Sequence, residues 1–255
     1  MLSNIKVKLN IKEKKEELKL KGFCVLNNVL PCDQIDRLRE GFWQTLTDYL
    51  GKNAQFSNRG PNRHFMAMPF NPSTFSADFF FNPTILEMIK SVLGERMVID
   101  QWGCDTAVLG SEYQQLHIDY QRPLFPEFPN LLLPPYMLIV SFGLLDIKQR
   151  NGAIEIAAGT HKLERERANC LVGSGTISLQ PVELRKGDVL IRHPWALHRG
   201  TPNFTETPRT LVTIRYVRSW YEDRSRDVNP IPLTIWKNLT GDQKDLMRFQ
   251  VVNDS

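Results

Sequence analysis

Apolar residues recur along this chain with two different periods, and the change falls near residue 97. Before it, spacings of three and four dominate. In PCDQIDRLREGFWQTLTDYLG (31–51), Ile35, Leu38, Phe42, Leu46 and Leu50 make one stripe of a helix, with Pro31 at its start, Asp33 placed to cap it and Gly51 to stop it. NPTILEMIKSVLGE predicts a shorter helix ending at Gly94, and residues 11–21 a charged helix. GFCVLNNVL, after the break at Gly22, reads as a strand. Beyond residue 97 the runs are short and β-like: MVIDQWG, TAVLG, YQQLHIDY, PYMLIVSFGLLD, GAIEIAAG, VELRKGDVLIR and RTLVTIRYV. Helices followed by many spaced strands predict an α+β chain with an all-β sandwich or barrel core. A loop and a short helix, TGDQKDLMRF, are expected near the end.

Two stretches have no period. KNAQFSNRGPNRHFMAMPFNPSTF (52–75) and RPLFPEFPNLLLPP (122–135) are rich in proline and aromatic residues. Loops of that length are commonly functional, and both are candidate lids over a substrate.

Composition narrows the classes. The 255 residues suit one domain over 1–255, with 1–20 as a charged N-terminal arm. Lysines and arginines exceed acids by only four, and in KVKLNIKEKKEELKLKG the lysines are mixed with glutamates. That pattern reads as a solvated helix, so no nucleic-acid partner is expected. No apolar run approaches the roughly 20 residues that cross a bilayer, so no membrane partner is expected either. Cys24, Cys32, Cys104 and Cys170 form no CxxC pair. With no signal-peptide pattern at the start, the expectation is four reduced thiols in a cytoplasmic protein.

The chemistry is concentrated in LHIDY and HRGTPNFTETPR. His117 and Asp119 are two apart in a predicted strand and so point the same way. An imidazole and a carboxylate side by side can hold one metal ion. A second histidine from another strand would complete a set of two histidines and one carboxylate, the ligand set of non-haem Fe(II) oxygenases. Alone, His-x-Asp is more often a hydrogen-bonded surface pair than a ligand pair; His198, which follows a strand, offers the second half. Arg209 opens the next strand. A guanidinium there suits 2-oxoglutarate, which chelates a metal at one end and carries a carboxylate at the other.

His117-x-Asp119, His198, and an arginine eleven residues beyond it at Arg209 resemble the phytanoyl-CoA dioxygenase family of Fe(II)/2-oxoglutarate oxygenases. So do GFCVLNNVLPCDQIDRLREGF, NGAIEIAAGTHK and KGDVLIRHPWALHRGTPN, and the resemblance covers about residues 15 to 220. It implies a double-stranded β-helix (jelly-roll, cupin-like) core over 97–220 with flanking N-terminal helices. It implies iron on His117, Asp119 and His198, and Arg209 on the C5 carboxylate of 2-oxoglutarate. Fe(II), 2-oxoglutarate and O2 would then hydroxylate an unactivated C–H bond of a small molecule, releasing succinate and CO2. The substrate class is open; an anionic compound or a natural-product intermediate fits the resemblance. The family often has Ser or Thr two residues after the distal histidine; here Gly200 stands there and Thr201, next in line, is the candidate contact. Gln101 resembles a glutamine that touches 2-oxoglutarate in related hydroxylases. Halogenases of the superfamily carry Ala or Gly in place of the carboxylate, and Asp119 argues against that outcome.

Other residues stay open. Arg215 shares a strand face with Arg209, Leu211 and Thr213, and either lines the cavity, where it would meet an anionic substrate or a carboxylate, or is solvated at the rim. His64, in the long loop, is an exposed residue or a substrate contact. His161 reads as a corner residue and His193 as a neighbour of the site. Tyr120, Trp102, Trp195 and Phe125 read as core or cavity wall. The competing function is a non-catalytic or isomerase- or hydrolase-type metal-binding cupin-like protein, which has no need of a guanidinium at 209.

Overall fold

A computed structural model describes residues 9–52, 58–120, 124–125, 127–128, 131, 133–223 and 227–254. The charged helix α1 (Ile11–Lys21) is capped by the Asn10 side chain, which accepts from the Glu13 N–H. It ends at Gly22, whose φ of 84° lets its N–H reach back to the Leu18 carbonyl. Strand β1 (Phe23–Leu26) follows, then α2 (Cys32–Lys52), which buries Ile35, Leu38, Phe42 and Leu46 as its stripe predicts. Asp33 lies inside the first turn of α2 and pairs with Arg37 instead of capping. Next come β2 (Arg63–Ala67), α3 (Ala77–Phe80) and α4 (Pro83–Leu93), the last begun by the Asn82 side chain.

The remaining strands are β3 (Met97–Ala107), β4 (Met137–Gly143), β5 (Ile154–Ala157), β6 (Leu179–Val182), β7 (Val189–Arg192), β8 (His198–Arg199) and β9 (Arg209–Arg218). Helix α5 (Arg165–Gly173) sits between β5 and β6. The chain closes with β10 (Ile231–Pro232), α6 (Leu233–Lys237), α7 (Gly241–Leu246) and β11 (Val251–Val252).

The strands form a double-stranded β-helix. One sheet has the order β1-β7-β4-β9-β3-β2 and the other β6-β5-β8, every pair antiparallel. Side chains alternate faces along each strand. On β9, Val212, Ile214 and Tyr216 join α2 and α4 in the main apolar core, while Arg209, Leu211, Thr213 and Arg215 line the space between the sheets. At one end that space is filled by Phe23, Ile156, Val182, Leu190 and Leu211; the polar remainder is the cavity.

Three expectations change. MVIDQWG and TAVLG are one strand, β3, with a bulge at Asp100 between the pairs Ile99↔Tyr216 and Gln101↔Arg215. YQQLHIDY is not a strand: His117 makes a single bridge to His198, and the Asp119 N–H reaches the Pro194 carbonyl. The stretch 52–75 is not all loop, because residues 63–67 pair with β3 as its edge strand. Of the two candidate lids, residues 53–57 and 122, 123, 126, 129, 130 and 132 lie outside the described residues, as do 1–8 of the N-terminal arm.

Candidate active site

A cavity of about 540 Å³ opens between the two sheets, and most of the sequence-predicted site residues face it. His198, on β8, is buried, and His117 is drawn to it through the backbone: each N–H donates to the other's carbonyl at 3.0 Å. Their rings stand 4.4 Å apart. Asp119 arrives from the same segment, its Oδ1 3.5 Å from His198 Nε2. One ligand atom from each of the three residues lies within 4.8 Å of the others.

The donor chemistry fits a metal. His117 Nδ1 sits 2.7 Å from the Gln115 carbonyl and His198 Nδ1 2.9 Å from that of Ala196. A carbonyl only accepts, so each Nδ1 carries the hydrogen and each Nε2 keeps a lone pair for the shared space. Burial, with His198 alongside, pushes the His117 ring below its ordinary pKa, which favours the neutral form a metal takes. Asp119 is fixed from behind by Arg192 of β7, whose Nη1 donates to Oδ2 at 2.5 Å. Burial alone would raise this carboxyl, but Arg192 and His198 outweigh it and hold it well below the usual carboxylate range. One carboxylate oxygen is therefore occupied and the other faces the histidines.

Arg209 is buried on the floor of the cavity. Its Nη1 donates to the carbonyl and to Oδ1 of Asp105 at 3.1 and 3.2 Å, while Nε makes no hydrogen bond among the described residues. Burial lowers its pKa to about 10, Asp105 acting against the shift and Arg63 with it. The turn between His198 and Arg209 is pinned by Asn203, whose Nδ2 donates to the carbonyls of Ala107 and Thr207. The metal-facing histidine and the guanidinium are thus the two ends of one fastened turn.

Gln101 lines the cavity, 3.5 Å from the Tyr120 hydroxyl. Arg215 is fully buried and also lines it. Its Nε and Nη2 make a two-pronged pair with Asp100 at 2.7 and 2.9 Å, and its Nη1 donates to Asp223 and to the Tyr120 hydroxyl. Of the two positions open for Arg215, the structure takes the cavity. Thr201 turns its hydroxyl to the Ala153 carbonyl at 2.7 Å, and it is Gly200 that lines the cavity. His64 is neither exposed nor in a loop: it lies on β2, buried, its ring edge-on to Tyr49 at 5.7 Å, while its neighbours Arg63 and Phe65 face the cavity. Alternation along β2 sends it to the helix side.

Two buried cavity arginines, Arg63 and Arg192, are not singled out by the sequence pattern. The signal was present in VLIR, where an arginine ends a strand whose other residues are apolar. A charge in a strand buried on both faces points to a buried partner.

Fold and triad together define a double-stranded β-helix protein with a two-histidine, one-carboxylate centre. The sequence profile of the family described as Phytanoyl-CoA dioxygenase (PhyH) matches residues 18–211. The chain belongs to that family, whose cofactor and co-substrates are Fe(II), 2-oxoglutarate and O2, and its two histidines and one carboxylate offer a matching set of ligand atoms. It is 25% identical over 139 residues to dioxygenase af480 of Aspergillus fumigatus, a match covering 54% of this chain and 43% of that protein. The chain therefore spans less than half of that relative. Among solved structures it resembles AviO1 from Streptomyces viridochromogenes (TM-score 0.64, 18% identity, 84% of this chain and 98% of that one). HygX from Streptomyces hygroscopicus, solved with nickel and 2-oxoglutarate bound, gives TM-score 0.63 at 19% identity over 96% of this chain and 97% of that one. SnoK, a non-haem alpha-ketoglutarate-dependent carbocyclase of nogalamycin biosynthesis, gives 0.64 at 17% over 82% and 84%. At these identities the structural likeness establishes the fold. No described helix is long and apolar enough to cross a membrane.

Proposed function

We propose that this chain hydroxylates an unactivated C–H bond of a small molecule, coupled to conversion of 2-oxoglutarate and O2 into succinate and CO2. The observation that carries the reading is the convergence of His117, Asp119 and His198 on one cavity with Arg209 on its floor. His117 Nε2, His198 Nε2 and Asp119 Oδ1 would hold the iron, which when bound supplies the redox chemistry of oxygen activation.

The chain's own residues orient and enclose. The Gln115 and Ala196 carbonyls hold the two imidazoles in the ligating tautomer, and Arg192 keeps Asp119 ionised with one oxygen turned to the metal. Arg209 would take the C5 carboxylate of 2-oxoglutarate, with Gln101 along its length. Ile139, Ile154 and Leu211 supply apolar wall that keeps water from the reacting centre. Tyr120 and Arg215, the latter held by Asp100 behind it, form a polar part of the wall, where a small-molecule substrate would dock. HygX has been solved with hygromycin B bound, which supports a small molecule as the substrate here too. Four unpaired thiols support a cytoplasmic setting.

The test is succinate formation by purified protein given Fe(II), ascorbate and 2-oxoglutarate, with and without a metabolite mixture. Slow succinate release that rises with substrate, and is lost in His117→Ala and Asp119→Ala, is expected. Full release in both variants would reject the ligand assignment, and absence of release in the wild type would favour the isomerase- or hydrolase-type alternative.

A further inference from the structure

Arg63 is 1% exposed and one of the largest fully buried side chains in the molecule. It projects from β2 into the cavity, where its Nη1 donates to Asp105 Oδ1 at 3.0 Å, the same oxygen that accepts from Arg209 at 3.2 Å. Its Nη2 donates to the Thr201 carbonyl at 2.6 Å. Two guanidiniums, from the strands on either side of β3, are therefore held together by one carboxylate oxygen of β3.

The space for Arg63 is made at Gly200. A Cβ there would lie 2.6 Å from Arg63 Cζ and Nη1, and 2.6 Å from Gln114 Oε1. Gly200 is not among the glycines with positive φ, so its backbone does not call for glycine. What excludes a side chain is the guanidinium, together with the Gln114 side-chain oxygen. Thr201 cannot supply a hydroxyl proton to the cavity from the next position, because that proton is given to the Ala153 carbonyl. On this part of the floor the donor facing a ligand is a cation where a small polar side chain would otherwise reach.

We infer that Arg63 is a second binding residue for the distal carboxylate of 2-oxoglutarate, acting beside Arg209, in a place opened by Gly200. The inference rests on the function proposed above. A carboxylate entering here meets two guanidiniums bridged by a single acid, and a charged donor binds an anion more strongly than a neutral hydroxyl does. The pair selects for a co-substrate with two carboxylates over a keto acid with one.

Calorimetric titration of Mn(II)-loaded protein, which binds without turnover, tests this with 2-oxoglutarate and with 2-oxobutyrate, which lacks the distal carboxylate. Arg63→Gln should weaken 2-oxoglutarate roughly tenfold or more, one charge-assisted hydrogen bond, while 2-oxobutyrate and Mn(II) change by less than about twofold. Arg63→Lys should fall between the two. Gly200→Ser should weaken 2-oxoglutarate by displacing the guanidinium, and the same change on Arg63→Ala should recover part of the loss, since the serine hydroxyl then occupies the vacated space. Unchanged 2-oxoglutarate affinity in Arg63→Gln, or equal losses for both acids, overturns the inference while Arg209→Gln still abolishes the preference. If the wild type does not prefer 2-oxoglutarate, or Arg209→Gln leaves the preference intact, the reading of the site itself falls and this inference with it.

Discussion

The Arg215–Asp100 pair allows a stability prediction whose order, as well as its size, is set by the structure. Both side chains are 0% exposed and joined by two hydrogen bonds of 2.7 and 2.9 Å. Asp223 adds a third contact at 3.1 Å but is 15% exposed. Removing one member of a buried pair leaves a charge without its counter-charge, at a cost of about 3–5 kcal/mol. Asp100→Asn should fall at the lower end, about 3 kcal/mol, because Arg215 keeps Asp223 and the Tyr120 hydroxyl. Arg215→Met should reach the upper end, about 5 kcal/mol, because it strands a fully buried Asp100 with a second acid nearby. Asp223→Asn should cost only about 1 kcal/mol, since solvent screens it and Asp100 still neutralises the arginine. For a chain of this size each kcal/mol moves the melting temperature by roughly 2–4 °C, so Asp100→Asn should melt about 6–12 °C lower. Urea unfolding of the metal-free protein, with an unchanged m-value, reads the same differences directly. The reasoning fails if Asp223→Asn costs as much as Asp100→Asn, or if Arg215→Met is the mildest of the three.

Arg209→Lys keeps a positive charge but loses the planar fork, so calorimetry should show 2-oxoglutarate affinity falling well beyond any change in Mn(II) affinity; equal losses would count against the role given to Arg209. Arg192→Met removes the partner of Asp119 Oδ2, and equilibrium dialysis should show metal affinity down by about 10–100-fold. Gly22→Ala should lower the unfolding free energy read from urea titration, by about 1–2 kcal/mol from the left-handed backbone alone, with more from a Cβ placed 2.5 Å from His161 Nδ1. Burial pushes His193 down to about 3, helped by His161, and His161 to about 4, helped by Lys162. Both rings stay neutral in the folded chain where the unfolded chain binds protons, so their contribution is whole above about pH 6.5 and lost as pH falls towards 4 and 3. His193→Asn should flatten the fall in unfolding free energy across that window, and an unaltered slope would show that the ring does not titrate as stated.

How far the sequence could be read depended on whether one face of an element was buried or two. The stripe Ile35, Leu38, Phe42 and Leu46 was legible because α2 hides one face only. β2 was not, because both its faces are covered: Arg63 and Phe65 look to the cavity while His64 and Met66 look to the helices, so no alternation of polarity survives. The segment around His117 shows the reverse case. It forms no strand, and Ile118 both packs with Leu116 against Ala157 and Leu197 and edges the cavity, yet His117 and Asp119 still share the cavity as the same-face deduction expects. The spacing of His117, Asp119, His198 and Arg209 led to the cavity because each is tied to a strand end or a turn. Arg192 and Arg63 are defined by partners 73 and 42 residues distant, Asp119 and Asp105, and the partner of Arg215 depends on a bulge at Asp100; such pairings have no local pattern.

The reciprocal main-chain bonds between residues 117 and 198 have a bearing on how the centre tolerates change. Two of its three prospective ligands are stitched to one another by peptide groups, whatever their imidazoles are doing. Bringing those two ligands together is then a folding event, completed before any ion arrives, and capture of the ion orders little that was loose. It follows that damage to this short seam, at positions such as Leu197 or Ala157 that never approach the ion, would register as a slack and leaky metal centre.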